Sequence, residues 1–129
     1  MPSILVIDDD RMAREATKTL LANKGYTVVV AEDGKTGIAA AQSGKFDAAI
    51  VDVFMPGMNG LQVIEAIHRS NPDMPMIAAS GFMFGDTCPH PQMPNFDAMA
   101  AEAGAVSTLY KPFKPDTLLQ AVEKAIHPA

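Results

Sequence analysis

Ala48-Ala49-Ile50-Val51-Asp52, followed by Val53-Phe54-Met55-Pro56-Gly57, is an apolar run that stops at a carboxylate and then turns. Ile4-Leu5-Val6-Ile7 does the same and stops at Asp8-Asp9-Asp10. Met76-Ile77-Ala78-Ala79 ends on Ser80, and Val106 to Tyr110 ends on Lys111-Pro112. Continuous apolar runs of this length read as strands buried on both faces. If they lie parallel in one sheet, their C-terminal ends sit side by side. Acidic groups, a hydroxyl and an ammonium group then share one crevice.

The segments between these runs read as helices. Met12, Ala13, Ala16, Leu20 and Leu21 recur at helical spacing behind Asp9 or Asp10 as cap, and Asp10 is the better cap. Gly25 suits the left-handed residue that ends this helix. Thr27–Ala31 is β-branched and predicts the second strand. Asp33-Gly34 opens a helix over roughly Lys35–Gln42, and Phe46–Val51 is the third strand. Asn59-Gly60 punctuates the next loop. Leu61, Ile64, Ile67 and His68 mark a helix that Asn71-Pro72 stops. Pro75–Ala79 and Val106–Tyr110 are the fourth and fifth strands. A helix is predicted from about Phe96 to Ala103, and a last one enters through Pro115-Asp116 with Leu118, Val122 and Ile126 on one face. Strands alternating with helices imply a parallel sheet covered on both sides. Ligands of such sheets bind beyond the strands' carboxyl ends, where the strand order reverses.

The chain has 129 residues, enough for one domain around one core. Its net charge of -5 with scattered Lys and Arg argues against a nucleic-acid or anionic-membrane surface. One cysteine, Cys88, excludes an internal disulfide and suits a cytoplasmic setting. No apolar run approaches the ~20 residues of a membrane span. Cys88 and His90 are two ligands, too few to close a zinc site. The stretch at about 81–95 carries Pro89, Pro91, Pro94, Phe82, Phe84, Met83 and Met93, too proline-rich for a helix and too apolar for a plain loop.

Carboxylates gathered in one crevice repel, and a divalent cation relieves them. Oxygen ligands favour Mg²⁺ or Mn²⁺ over Zn²⁺. An ionised Asp52 can attack phosphorus, with Lys111, Ser80 and a backbone N–H bonding the phosphoryl oxygens.

At this point the chain resembles the receiver domain of two-component response regulators, of the chemotaxis-regulator kind, over almost its full length. The resemblance rests on Ile4-Leu5-Val6-Ile7-Asp8-Asp9-Asp10, Asp52 with Met55-Pro56-Gly57-Met58-Asn59-Gly60, Ser80, Gly104-Ala105 and Lys111-Pro112-Phe113. It implies an α/β, flavodoxin-like, doubly wound five-stranded sheet of order 2-1-3-4-5, as a single domain over 1–129. It implies that Asp52 accepts a phosphoryl group from the phosphohistidine of a sensor histidine kinase or phosphotransfer protein. Asp9, Asp52 and the backbone carbonyl of Phe54 would hold Mg²⁺, with Asp8 acting through water. Ser80, the Gly81 backbone N–H and Lys111 would contact the phosphoryl group, and Lys111-Pro112 would be joined by a cis peptide. The resemblance further implies a cytoplasmic switch that catalyses only its own phosphorylation and dephosphorylation and is read by a downstream protein. A homodimer formed on phosphorylation is one shape such a switch takes. With the chain ending at Ala129, a stand-alone receiver without a DNA-binding domain is expected, with a receiver excised from a longer protein as the alternative.

The chain departs from the family in three ways. Thr108 stands where receivers usually carry an aromatic that follows the hydroxyl of Ser80, and Tyr110 lies two residues on. The stretch between Ser80 and Lys111 is longer than usual, with the excess at about 81–95. Phe54 and Phe82 occupy the two positions that gate water, and bulky rings there predict a long-lived acyl phosphate. Two rival readings remain: a receiver-like interaction module independent of phosphorylation, and an Asp-nucleophile phosphatase. The second usually needs an Asp two residues after the nucleophile, where this chain has Phe54.

Overall fold

The computed structural model describes residues 2–53, 59–80, 96–110 and 114–127. Among the described residues, five strands alternate with five helices: β1 (Ser3–Ile7), α1 (Arg11–Asn23), β2 (Thr27–Ala31), α2 (Gly34–Ser43), β3 (Ala48–Asp52), α3 (Gly60–Ser70), β4 (Met76–Ser80), α4 (Phe96–Ala103), β5 (Ser107–Tyr110) and α5 (Pro115–Ile126). All pairings are parallel and the order is β2-β1-β3-β4-β5. The chain therefore runs outward in one direction from β1 to β2, then reverses across β1 to β3. The fold is the expected α/β doubly wound sheet.

Side-chain alternation along the central strands divides the core into two layers. Leu5, Ile7, Ala49, Val51 and Ala78 pack toward α2, α3 and α4, joined by Val63, Ile64 and Ile67. Ile4, Val6, Ile50, Ile77 and Leu109 pack on the other face with Leu21, Leu118 and Val122. All five residues of β3 are buried, which explains why its sequence is an unbroken apolar run with no polar alternate.

The helix starts follow the predicted caps. The Asp10 carboxylate accepts from the Met12 N–H at 3.1 Å, and the Asp33 carboxylate from the Thr36 N–H at 2.7 Å. Gly25 has a φ of 94°, which lets the chain leave α1 and enter β2. The face of α1 differs from the expected one. Met12 is 82% exposed, while Thr17 and Leu21 are the buried residues. The true stripe runs Ala13, Thr17, Leu20, Leu21; a threonine counted as polar hides it in the sequence.

Asp33 carries a pH signature. The hydrogen bonds from the Thr36 backbone and side chain hold its carboxyl below the ordinary carboxylate value. The folded state therefore binds fewer protons here than the unfolded state. This contribution is complete above the ordinary carboxylate pKa and is lost as pH falls through the depressed one. Asp33→Asn keeps a capping oxygen but removes the titration. The stability gap between parent and variant, measured by urea midpoints, is expected to shrink from neutral to acid pH; a constant gap would contradict this.

Candidate functional site

β1 and β3 are neighbours, and their ladder runs to Ile7 opposite Val51. One position further on, Asp8 leaves β1 and Asp52 closes β3. Asp8 is 5% exposed and Asp52 3% exposed, whereas Asp9 faces solvent. One carboxylate oxygen from each of Asp8, Asp9 and Asp52 lies within 4.8 Å of the other two. Residues 8, 9 and 52, far apart in the sequence, thus form one acidic centre at the carboxyl edge of the sheet.

Local bonds shape this centre. The Asp8 N–H donates to the Ala31 carbonyl at 3.1 Å, extending the bonding of β1 to β2 past the last paired strand residue. The Asp10 N–H donates to Asp8 Oδ1 at 2.9 Å. Arg14 Nη1 donates to the Asp8 carbonyl at 2.9 Å. On the other side, the Val53 N–H donates to the Ala79 carbonyl at 2.8 Å, and the Gly60 N–H donates to the Val53 carbonyl at 3.0 Å. The Asn59 side chain caps α3 by accepting from the Leu61 N–H at 2.7 Å.

Gly60 is packed against the strand it serves. A Cβ there would stand 3.0 Å from the Asp52 carbonyl carbon, and closer still to the Asp52 oxygen and Val53 Cα. In the sequence Gly60 reads as loop punctuation and as the end of a family motif, and neither signals this approach. Arg14 is equally silent; its one sequence signal is its place one helical turn after Asp10.

Ser80 closes β4, and its backbone pairs with Tyr110; Thr108 pairs with Ala78. Thr108 is half-buried and Tyr110 exposed, both on one face of β5. Phe54, Gly81, Phe82, Lys111 and Pro112, the stretch at 81–95, and the side chain of Ser80 lie outside the described residues. A separate open groove of about 910 Å³ lies at the opposite edge of the sheet, lined by Phe46, Met74, Pro75 and Val106 among others. The acidic centre has no part in it. No helix among the described residues is long and apolar enough to cross a membrane.

The donor set fits a hard divalent cation. It is all oxygen, it carries three formal negative charges, and two of its members are withdrawn from water, where like charges are costly unless balanced.

The model of the response regulator receiver domain matches residues 4–123. The C4-dicarboxylate transport transcriptional regulatory protein DctD of Rhizobium meliloti is 33% identical over 96% of this chain, which corresponds to 25% of that protein. The response regulator MprA of Mycolicibacterium vanbaalenii is 33% identical over 90% of this chain and 46% of its own length. The chain thus spans a quarter to half of the curated relatives it matches. The solved structure of a CheY-like receiver domain protein from Methanospirillum hungatei superposes with a TM-score of 0.88 at 26% identity, covering 99% of this chain and 95% of that one. With its sequence matched almost end to end and its strand order shared with solved members, the chain belongs to the response regulator receiver domain family.

Proposed function

We propose that the chain is a phosphoacceptor switch in which Asp52 takes a phosphoryl group from the phosphohistidine of a sensor histidine kinase or phosphotransfer protein. The observation that carries this is the convergence of the Asp8, Asp9 and Asp52 carboxylates within 4.8 Å at the sheet's carboxyl edge. In the transfer, an Asp52 oxygen bonds to phosphorus as the phosphorus–nitrogen bond breaks, and the electron pair and a proton stay with the departing imidazole. Asp9, Asp52 and the Phe54 carbonyl would hold Mg²⁺ (or Mn²⁺) directly, with Asp8 through water. When bound, the cation neutralises charge on the phosphoryl oxygens. Lys111, Ser80 and the Gly81 N–H would bond those oxygens and orient the group.

The modified chain acts through a shifted equilibrium between two forms read by a downstream protein in the cytoplasm, and it turns over no separate metabolite. On this reading the longer stretch at 81–95, which precedes α4 in the sequence, would either reshape the surface that the partner reads or cover the phosphorylation cleft. Incubation with Mg²⁺ and a small phosphodonor is expected to add one phosphoryl group by intact mass; an unchanged mass, with the metal shown to bind, refutes the reading.

One observation favours a second reading, an interaction module indifferent to phosphate. Thr108, half-buried opposite Ala78, stands where the family's switch has a ring. Equal partner capture with and without a beryllofluoride phosphate mimic on Asp52 would select this alternative.

On this reading Phe54 and Phe82, at the two positions that gate water in the family, would keep the hydrolytic water from the acyl phosphate. Phe54→Asn, which admits and bonds water, is expected to shorten the lifetime about tenfold, a barrier change of about 1.4 kcal/mol. Decay followed by intact mass checks this; a short parental lifetime that Phe54→Asn leaves unaltered contradicts it.

A further inference from the structure

Asp8 and Asp9 are consecutive, so the directions of their carboxylates depend on the single peptide unit between them. That unit is planar, and its orientation sets both flanking torsions together. Three bonds hold its surroundings: Asp8 N–H to the Ala31 carbonyl, Asp10 N–H to Asp8 Oδ1, and Met12 N–H to the Asp10 carboxylate. None of these three grips the Asp8–Asp9 peptide itself. Arg14 does, through Nη1 to the Asp8 carbonyl at 2.9 Å. Its backbone is fixed on α1, where its N–H donates to the Asp10 carbonyl at 2.9 Å, and its side chain is half-buried.

The placement runs against helix electrostatics. α1 has no acidic residue in its first turn, and Arg11 and Arg14 put positive charge at its positive end. The Asp10 cap and the carboxylates of Asp8 and Asp9 offset that charge, and the guanidinium also has a directional use. A charge-assisted bond from a planar, rigid donor to the loop carbonyl supplies it.

We propose that Arg14 is a positioning residue of the acidic centre: it clamps the Asp8–Asp9 peptide so that both carboxylates face Asp52 in readiness for the divalent cation. This rests on the metal reading given above. Residues that orient metal ligands from behind typically change affinity by about 10–100-fold when removed.

The sign of the effect separates this role from a plain charge effect. If Arg14 acted only as a nearby positive charge, its removal would tighten Mg²⁺ binding. If it positions the ligands, its removal weakens binding. Arg14→Met keeps much of the stem and removes the donor. Titration calorimetry with Mg²⁺ alone is expected to show about a tenfold higher Kd for Arg14→Met, and a Kd between variant and parent for Arg14→Lys. The melting temperature in EDTA should hold for both. Unchanged or tighter binding by Arg14→Met overturns the proposal. So does a large fall in metal-free melting temperature, or a failure of Arg14→Met to fold, either of which would mark Arg14 as a fold residue. Absence of Mg²⁺ binding by the parent is a different failure: it removes the metal reading itself.

Discussion

Asp52→Asn is expected to abolish phosphoryl uptake completely, with no added mass after incubation with Mg²⁺ and a small phosphodonor. The substitution keeps the shape of a side chain that is 3% exposed, so the sheet around it stands. It removes the anionic oxygen that, in the proposed function, forms the bond to phosphorus. It also removes one of three negative charges gathered within 4.8 Å. Two unit charges at that separation repel by about 3 kcal/mol at an effective dielectric of about 20, and the exposure of Asp9 reduces its share. The variant should therefore gain less melting temperature from added Mg²⁺ than the parent does. Phosphoryl label accumulating on the variant at the parental rate would place the acceptor elsewhere.

Gly60→Ala is expected to destabilise the fold by about 3 kcal/mol, read as a lower urea midpoint. On helix propensity alone the same change stabilises by roughly 0.5–1 kcal/mol, so the sign decides. The new methyl group would meet the Asp52 carbonyl and Val53 Cα, which are backbone and cannot swing aside as a side chain would. α3 must then back away from the end of β3. Its first N–H loses the Val53 carbonyl, and the strand end that carries Asp52 loses its support. Mg²⁺ affinity should fall along with stability. A variant as stable as the parent would show that the close approach has slack.

The parts of the fold that are legible in the sequence are those fixed by burial on both sides. Ile4–Ile7 and Ala48–Val51 face helices above and below, so every position is apolar and the run marks itself. Asp10 and Asp33 are legible as caps because a carboxylate before a helix has a local partner. Strand limits are less so. β3 runs Ala48–Asp52 and not Phe46–Val51, because the ladder to β1 and β4 decides where a parallel strand starts and stops. The inward face of α1 escapes the sequence pattern because burial there selects Thr17 over Met12, and apolar character alone does not show that. Within the centre, Asp8, Asp9 and Asp52 are legible as strand-end carboxylates. Gly60 and Arg14 are not, since a close backbone approach and a bond to a loop carbonyl leave no pattern in residue type.

The strand order has a consequence for how the molecule comes into being. β1 lies between β2, the next strand in the sequence, and β3, which follows a whole helix later. Pairings between distant segments form slowly because a long loop must close first. A chain still emerging from the ribosome with residue 52 inside the exit tunnel holds Asp8 and Asp9 but no trio. On the metal reading proposed above, competence to bind the cation would therefore arrive as one event, when the β1–β3 crossover shuts, and a pulse of bound metal would serve as a clock for that closure.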